Sequence, residues 1–226
     1  MATSRAGASP LALAVLATLY ERPMHPYEIA RLMRRRGKDG SIKIRWGSLY
    51  TVVARLAEAG LVESAGTDRA GKRPERTVYR ITDDGREELQ ERLRRLLGEP
   101  VKEYPGFEAA LSLIGVLPPD EAMDLIAGRL AVLEVAIASE EAAVRELAER
   151  QQLPRVLLLE TEYALAMKRA EAQWCRGVLE DADKGVLEID AWRRMHAVHE
   201  FPPEWADRPW MRAELRHQAE GGAATD

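Results

Sequence analysis

The chain has 226 residues, 46% of them hydrophobic and 31% charged, which supplies ample apolar material for one large or two modest packed cores. Its only cysteine, Cys175, excludes a disulfide framework and fits a reducing, cytoplasmic setting. The formal net charge of −4 conceals a dipolar chain: residues 1–97 carry 19 Lys and Arg against 12 Asp and Glu, whereas 98–226 carry 14 against 25. A net +7 on the first part is the electrostatic footprint of nucleic-acid binding, although a solvated basic face looks similar.

The first element is LALAVLATLY, residues 11–20. It is too short to span a bilayer and is closed by Glu21, Arg22 and Pro23, so no membrane association is expected. Ser9 and Pro10 form a helix-start signal, and Leu11, Val15, Leu16 and Leu19 share one face, which predicts a core helix. A second helix begins near His25 and Pro26. Tyr27, Ile29, Leu32 and Met33 lie at helical spacing, Arg34, Arg35 and Arg36 crowd the negative end, and Gly37 stops it. His25 is either a helix-start residue or a phosphate contact.

The third helix takes Ser48 as its expected N-cap and Gly60 as its left-handed stop. Leu49, Val52, Val53 and Leu56 give its apolar stripe, and Tyr50, Thr51, Ala54 and Arg55 its other face. A hydroxyl or phenol can bond phosphate, and Arg can grip phosphate or guanine with two prongs. Next, ESAGTDRAGKRPERTVYRIT makes two β-type runs around a basic turn. Helix, helix, basic hairpin is the order of a winged helix-turn-helix. The DNA-binding candidates are His25, Lys43, Ser48, Tyr50, Thr51 and Arg55, with Arg69, Lys72, Arg73 and Arg76 on the wing. Asp83, Asp84 and Gly85 read as a wing-to-helix turn rather than paired catalytic carboxylates, and Arg86 to Leu97 as a charged amphipathic helix.

Gly98, Pro100, Pro105 and Gly106 then interrupt the pattern, which places a DNA-binding domain at 1–98 and a helical domain at 99–226. Phe107 to Leu117 is a short helix, and Pro118 and Pro119 introduce a long one with a buried stripe of Ala122, Ile126, Leu130, Leu133, Ile137, Val144 and Leu147. Another long helix is expected from Pro154 to Lys184. Its stripe is Val156, Leu159, Tyr163, Ala166 or Met167, Ala170, Trp174 and Val178. Two such helices need partners, supplied either by a second subunit or by closure into a monomeric bundle. The expected fold is thus mainly α: a three-helix winged domain with a β-hairpin, then an all-α domain.

Catalytic and metal-binding patterns are weak. His196 and His199 stand near Glu200, yet no HExxH pattern, GxGxxG run or phosphate loop accompanies them, and Cys175 has no base beside it in sequence. No enzyme activity, metal or cofactor is expected. The tail FPPEWADRPW brings Trp205 and Trp210 into a Pro-rich segment, where packing is the simplest role.

Three blocks in the first half, HPYEI, GSLYTVVARLAEAGLVE and GKRPERTVYRITDDGREEL, resemble the signature of PadR-type transcriptional regulators in order and spacing. EYPGFEAALSLIGVLPPDEA, LPRVLLLETEYALAMKRAEAQWCRGVLEDADKG and DAWRRMHAVHE resemble the C-terminal region of longer, particularly actinobacterial, members. Pro26 stands where Gly often follows the His, and Thr51 where Pro often follows the Tyr. The resemblance implies a homodimeric transcriptional repressor on a palindromic double-stranded DNA operator, joined through Val156, Leu159, Tyr163, Met167, Ala170, Trp174 and Val178. It also implies a hydrophobic or aromatic effector near Tyr163, Met167 and Trp174, with Tyr104 a further candidate; Trp174 is otherwise plain core. A winged-helix module whose basic face binds a protein partner is the alternative.

Overall fold

The computed structural model describes residues 9–68, 76–198, 201–213 and 216, with backbone alone at 46, 67, 68 and 76. The chain divides into two compact units, Met1–Glu103 and Tyr104–Asp226.

In the first unit, α1 (Pro10–Glu21) starts as the sequence suggests: Ser9 Oγ accepts the Ala12 N–H at 3.2 Å and Pro10 occupies the first turn. Leu11, Val15, Leu16 and Leu19 are buried in the core of the unit. Helix α2 (Pro26–Arg35) is capped by His25, and Gly37 ends it at φ 69°. Its buried face is Ile29, Ala30, Leu32 and Met33, while Tyr27 is exposed despite its helical spacing.

Helix α3 (Trp46–Glu58) begins earlier than expected. Arg45 is the N-cap, without a side-chain cap, and the Leu49 N–H donates to the Arg45 carbonyl at 3.0 Å. Ser48 therefore sits inside the first turn. Capping by Ser48 would require extended backbone there and would break that bond, so the serine signal yields to the longer helix. The other end follows the sequence: the Gly60 N–H donates to Ala57 and the Leu61 N–H to Leu56, with Gly60 at φ 73° and Leu61 buried, which is a Schellman stop.

Strands β1 (Val62–Asp68) and β2 (Arg76–Ile81) form an antiparallel hairpin with Val62 opposite Ile81 and Ser64 opposite Tyr79. A bulge at Ala65 shifts the register so that Gly66, at φ 118°, faces Val78. Two bonds of 3.0 Å between Met24 and Tyr79 tie the α1–α2 connection to the hairpin. Helix α4 (Asp83–Gly98) follows at once, because Thr82 caps it through the Gly85 N–H at 3.0 Å. Asp83 and Asp84 thus form the first helical turn, not a separate turn, and meet the positive helix end.

The second unit is helical over its described residues: α5 (Gly106–Ser112), α6 (Pro119–Arg145), α7 (Leu159–Asp183) and α8 (Ile189–Val198), with short 3-10 turns at Ile114–Val116, Arg155–Leu157 and Pro203–Trp205. The α6 stripe is as expected, with Ala122 and Ile126 buried and Leu130, Leu133, Ile137 and Val144 half-buried, and half-buried Leu147 continues it in a π-helical turn at Glu146–Arg150. Helix α7 differs. Pro154 opens a 3-10 turn rather than the helix, so Val156 lies outside α7. The residues that bury against the rest of the unit are Leu158, Leu165, Ala172 and Cys175. The expected stripe lies mostly on the far side: Leu165 is 6% exposed but Tyr163 68%, and two residues are about 200° of helical turn apart.

Ion pairs Arg176–Glu134 at 2.8 Å, Arg169–Glu141 at 2.6 Å, Lys168–Glu140 and Arg129–Glu171 set α6 and α7 antiparallel. The tail packs down: Trp205 and Arg208 both donate to Glu188 at 2.7 Å, Trp210 meets Phe201 and Trp205 edge-on, and Met211 is buried.

A Cβ on Gly85 would stand 2.0 Å from the Leu61 carbonyl oxygen and 2.9 Å from Ile81. Backbone cannot yield as a flexible side chain would. Gly85→Ala should therefore destabilise the first unit by about 3 kcal/mol, seen as a lower midpoint in thermal or urea denaturation.

Candidate nucleic-acid interface

The first unit presents a two-faced α3. Leu49, Val53 and Leu56 are buried in the core, Val52 is half-buried, and Ser48, Tyr50, Thr51, Ala54 and Arg55 point outward, all exposed. The periodicity therefore placed this helix in the correct rotation. Tyr50 is 49% exposed, so its phenol is available at the surface while part of the ring packs. The Thr51 hydroxyl donates to the Gly47 carbonyl at 3.0 Å, which spends its proton inside the helix and leaves oxygen lone pairs and a methyl group outward.

Flanking cations extend this face. Lys43 is exposed in the segment ahead of α3, and Arg45, which the sequence reading passed over, is exposed at the N-cap itself. The missed signal was the helix start: once α3 begins at residue 46, the residue before it becomes part of the docking end. On α2, Arg31, Arg34 and Arg35 are exposed. Arg36 is committed to a two-pronged pair with Glu21, which lowers the carboxyl and raises the guanidinium from their ordinary pKa values.

His25 is half-buried at the α2 N-cap, with Nδ1 accepting the Tyr27 N–H at 3.1 Å and Glu28 accepting the His25 backbone N–H at 3.3 Å. Its ring meets the Tyr50 ring edge-on, with centroids 6.4 Å apart. On the hairpin, Arg80 pairs with Glu63 at 2.8 Å. Arg69, Lys72 and Arg73 lie outside the described residues, and of Arg76 only the backbone, at the start of β2, is described.

In the second unit, Leu159, Tyr163, Met167, Ala170 and Trp174 form an exposed stripe on α7, Val156 is exposed just before it, and Val178 is half-buried. Tyr104 is also exposed. A crevice of about 300 Å³ between α5 and α6 is lined by Phe107, Leu111, Leu113, Leu117, Ile126 and Arg129. Tyr163, Met167 and Trp174 do not line it; Trp174 only touches the Phe107 ring edge, at 5.7 Å. Burial holds the Cys175 thiol above its ordinary pKa, the opposite of thiolate activation. His196 contacts the Val116 carbonyl at 3.2 Å, and among the described residues no His, Cys, Asp and Glu cluster could hold a metal; His199 lies outside them.

Three short helices, a bulged hairpin and an outward polar face on the third helix define a winged helix-turn-helix. Residues 15–91 match the model of the Transcriptional regulator PadR-like family. No curated protein matches the chain. Among solved structures it is similar to Bacillus subtilis PadR in complex with operator DNA, at 20% identity and TM-score 0.60, covering 74% of this chain and 96% of that one. The same protein in complex with p-coumaric acid matches at 20% identity and TM-score 0.60, over 76% and 97% of the two chains. The Vibrio cholerae virulence activator AphA matches at 20% and 0.56, over 77% and 98%. At these identities the likeness is one of fold.

Proposed function

We infer that the chain binds duplex DNA with α3 in the major groove and the hairpin cations on the backbone, as a homodimer on a palindromic operator. The outward face of α3 carries the reading: Tyr50, Thr51 and Arg55 stand together on a helix whose opposite face is core, beside a net-positive sequence. The structural neighbour solved with operator DNA supports the same use of the fold. Ser48 and Lys43 join α3 as backbone contacts. Arg69, Lys72, Arg73 and Arg76 act from the wing, and Arg45 is added to the set.

The stripe of Val156, Leu159, Tyr163, Met167, Ala170, Trp174 and Val178 forms the dimer contact, since all but the half-buried Val178 are exposed in a single chain. Repression follows when the dimer occupies its operator. A flat hydrophobic effector contacting Tyr163, Met167 or Trp174 releases it by favouring another spacing of the two α3 helices. The neighbour solved with p-coumaric acid supports ligand control. The DNA-binding domain is taken as 1–98, the remainder as the dimerisation domain, and the cytosol as the site of action.

A gel shift on the gene's own upstream region tests the reading: binding should weaken steeply as salt rises. Binding to a protein partner but to no duplex would overturn it. Arg55→Ala should cost about 1–3 kcal/mol on the operator and little on random duplex. Tyr50→Phe should weaken both duplexes with an unchanged melting temperature, because only the hydroxyl is lost.

Tyr163→Glu places a charge where a single chain is already solvated, so the folded protomer should be unharmed. Sedimentation should show monomers, and operator affinity should fall because each half-site must then be found separately. A persistent dimer with full affinity would remove this stripe from the interface.

A further inference from the structure

One aromatic contact joins the start of α2 to the outward face of α3. His25 is held twice by its own helix, through the Tyr27 N–H on Nδ1 at 3.1 Å and through Glu28 on its backbone N–H at 3.3 Å. Because Nδ1 accepts a hydrogen bond, the proton of the neutral ring is assigned to Nε2. The imidazole cannot swing away without giving up the cap. The rings of His25 and Tyr50 have centroids 6.4 Å apart and planes inclined at 68°, within the range of edge-to-face aromatic pairs. Tyr50 is 49% exposed, so its ring leans on a fixed neighbour while the rest meets solvent.

Resting on the DNA-binding reading above, we propose that His25 is a positioning residue for Tyr50, the cap of α2 serving as the anchor that holds the α3 phenol in its binding rotamer. The Tyr27 bond fixes the imidazole while Glu28 holds the backbone that carries it, the imidazole limits the phenol, and the hydroxyl reaches DNA already ordered. A tyrosine left to its own torsions would lose that freedom on binding, a loss of roughly two- to tenfold in affinity. Capping and positioning are thus separable duties of one side chain: the first needs an acceptor atom, the second a ring.

Two substitutions in the full chain split them. His25→Asn keeps an acceptor suited to an N-cap and removes the ring, whereas His25→Phe keeps a ring and removes the acceptor. Binding is read by fluorescence anisotropy on a labelled duplex from the gene's own upstream region and on a random-sequence duplex, alongside thermal melting. The expected result is that His25→Asn melts like the parent yet binds roughly two- to tenfold more weakly. His25→Phe should melt lower, and its folded fraction should bind more tightly than His25→Asn yet short of the parent, because the ring remains but the cap no longer anchors it. In a Tyr50→Ala background, His25→Asn should add no further loss.

Parental affinity in His25→Asn would overturn the proposal, as would an equal loss with and without Tyr50, which would make His25 a contact in its own right. A parent protein that binds neither duplex in a salt-sensitive way would sink the DNA reading itself and this inference with it. A parent that binds while His25→Asn is silent would sink the inference alone.

Discussion

The arrangement of the first unit depends on a small backbone junction where α3, the hairpin and α4 meet. Thr82 Oγ1 donates to the Gly60 carbonyl at 2.7 Å and accepts the Gly85 N–H at 3.0 Å, while the Thr82 N–H donates to the Leu61 carbonyl at 3.1 Å. One threonine therefore binds the end of α3, closes the hairpin and starts α4. Gly85 lets α4 lie directly on the Leu61 carbonyl, where no Cβ fits. The angle between the outward face of α3 and the wing is set here, in hydrogen bonds of the Thr82 side chain and backbone, so that surface substitutions on α3 can vary without moving the helix. The Met24–Tyr79 bonds brace the same hairpin from the α1–α2 side.

Much of this unit was legible in the sequence because its signals agree with one another. Periodicity, caps and stops all place α1 and α2 alike, and the rotation of α3 follows from Leu49, Val53 and Leu56 alone. Ser48 misled because a serine before an apolar stripe is an N-cap signal only if the helix starts there, and residue 46 had begun it. The bulge at Ala65 was not legible, since one extra residue changes neither composition nor alternation enough to be seen. His25 was recognised at the helix start, but its contact with Tyr50 lies between residues 25 apart in sequence, and only the fold brings them together.

Helix α7 has a second face that its apolar stripe does not announce. Large side chains dominate the stripe of Tyr163, Met167 and Trp174, whereas the seam against the rest of the unit runs through Leu165, Ala172 and Cys175. Small residues let a neighbouring backbone approach closely, and that closeness is invisible to a hydrophobicity count. The four ion pairs along α6 and α7 select register more than they supply stability, because their side chains stay between about a third and a half exposed and such pairs contribute roughly 0–1 kcal/mol each. The seam, not the ladder, holds the two helices.

The outward faces of α3 and α7 therefore make opposite demands. Tyr50, Thr51 and Arg55 each carry a polar end that water satisfies, so α3 is stable bare and ready for a charged polymer whose counterions are displaced on binding. Leu159, Tyr163, Met167 and Trp174 expose apolar surface along successive turns, and water satisfies only the phenol and indole tips. A face of the first kind can wait for an occasional ligand; one of the second kind gains from a permanent cover. The acidic balance of residues 98–226 adds a further bias to the proposed DNA binding, since 14 cations against 25 anions would repel phosphate and favour the basic first part of the sequence. In the proposed reading, a constitutive apolar contact in one unit and a salt-dependent polar contact in the other would divide the labour between these two helices.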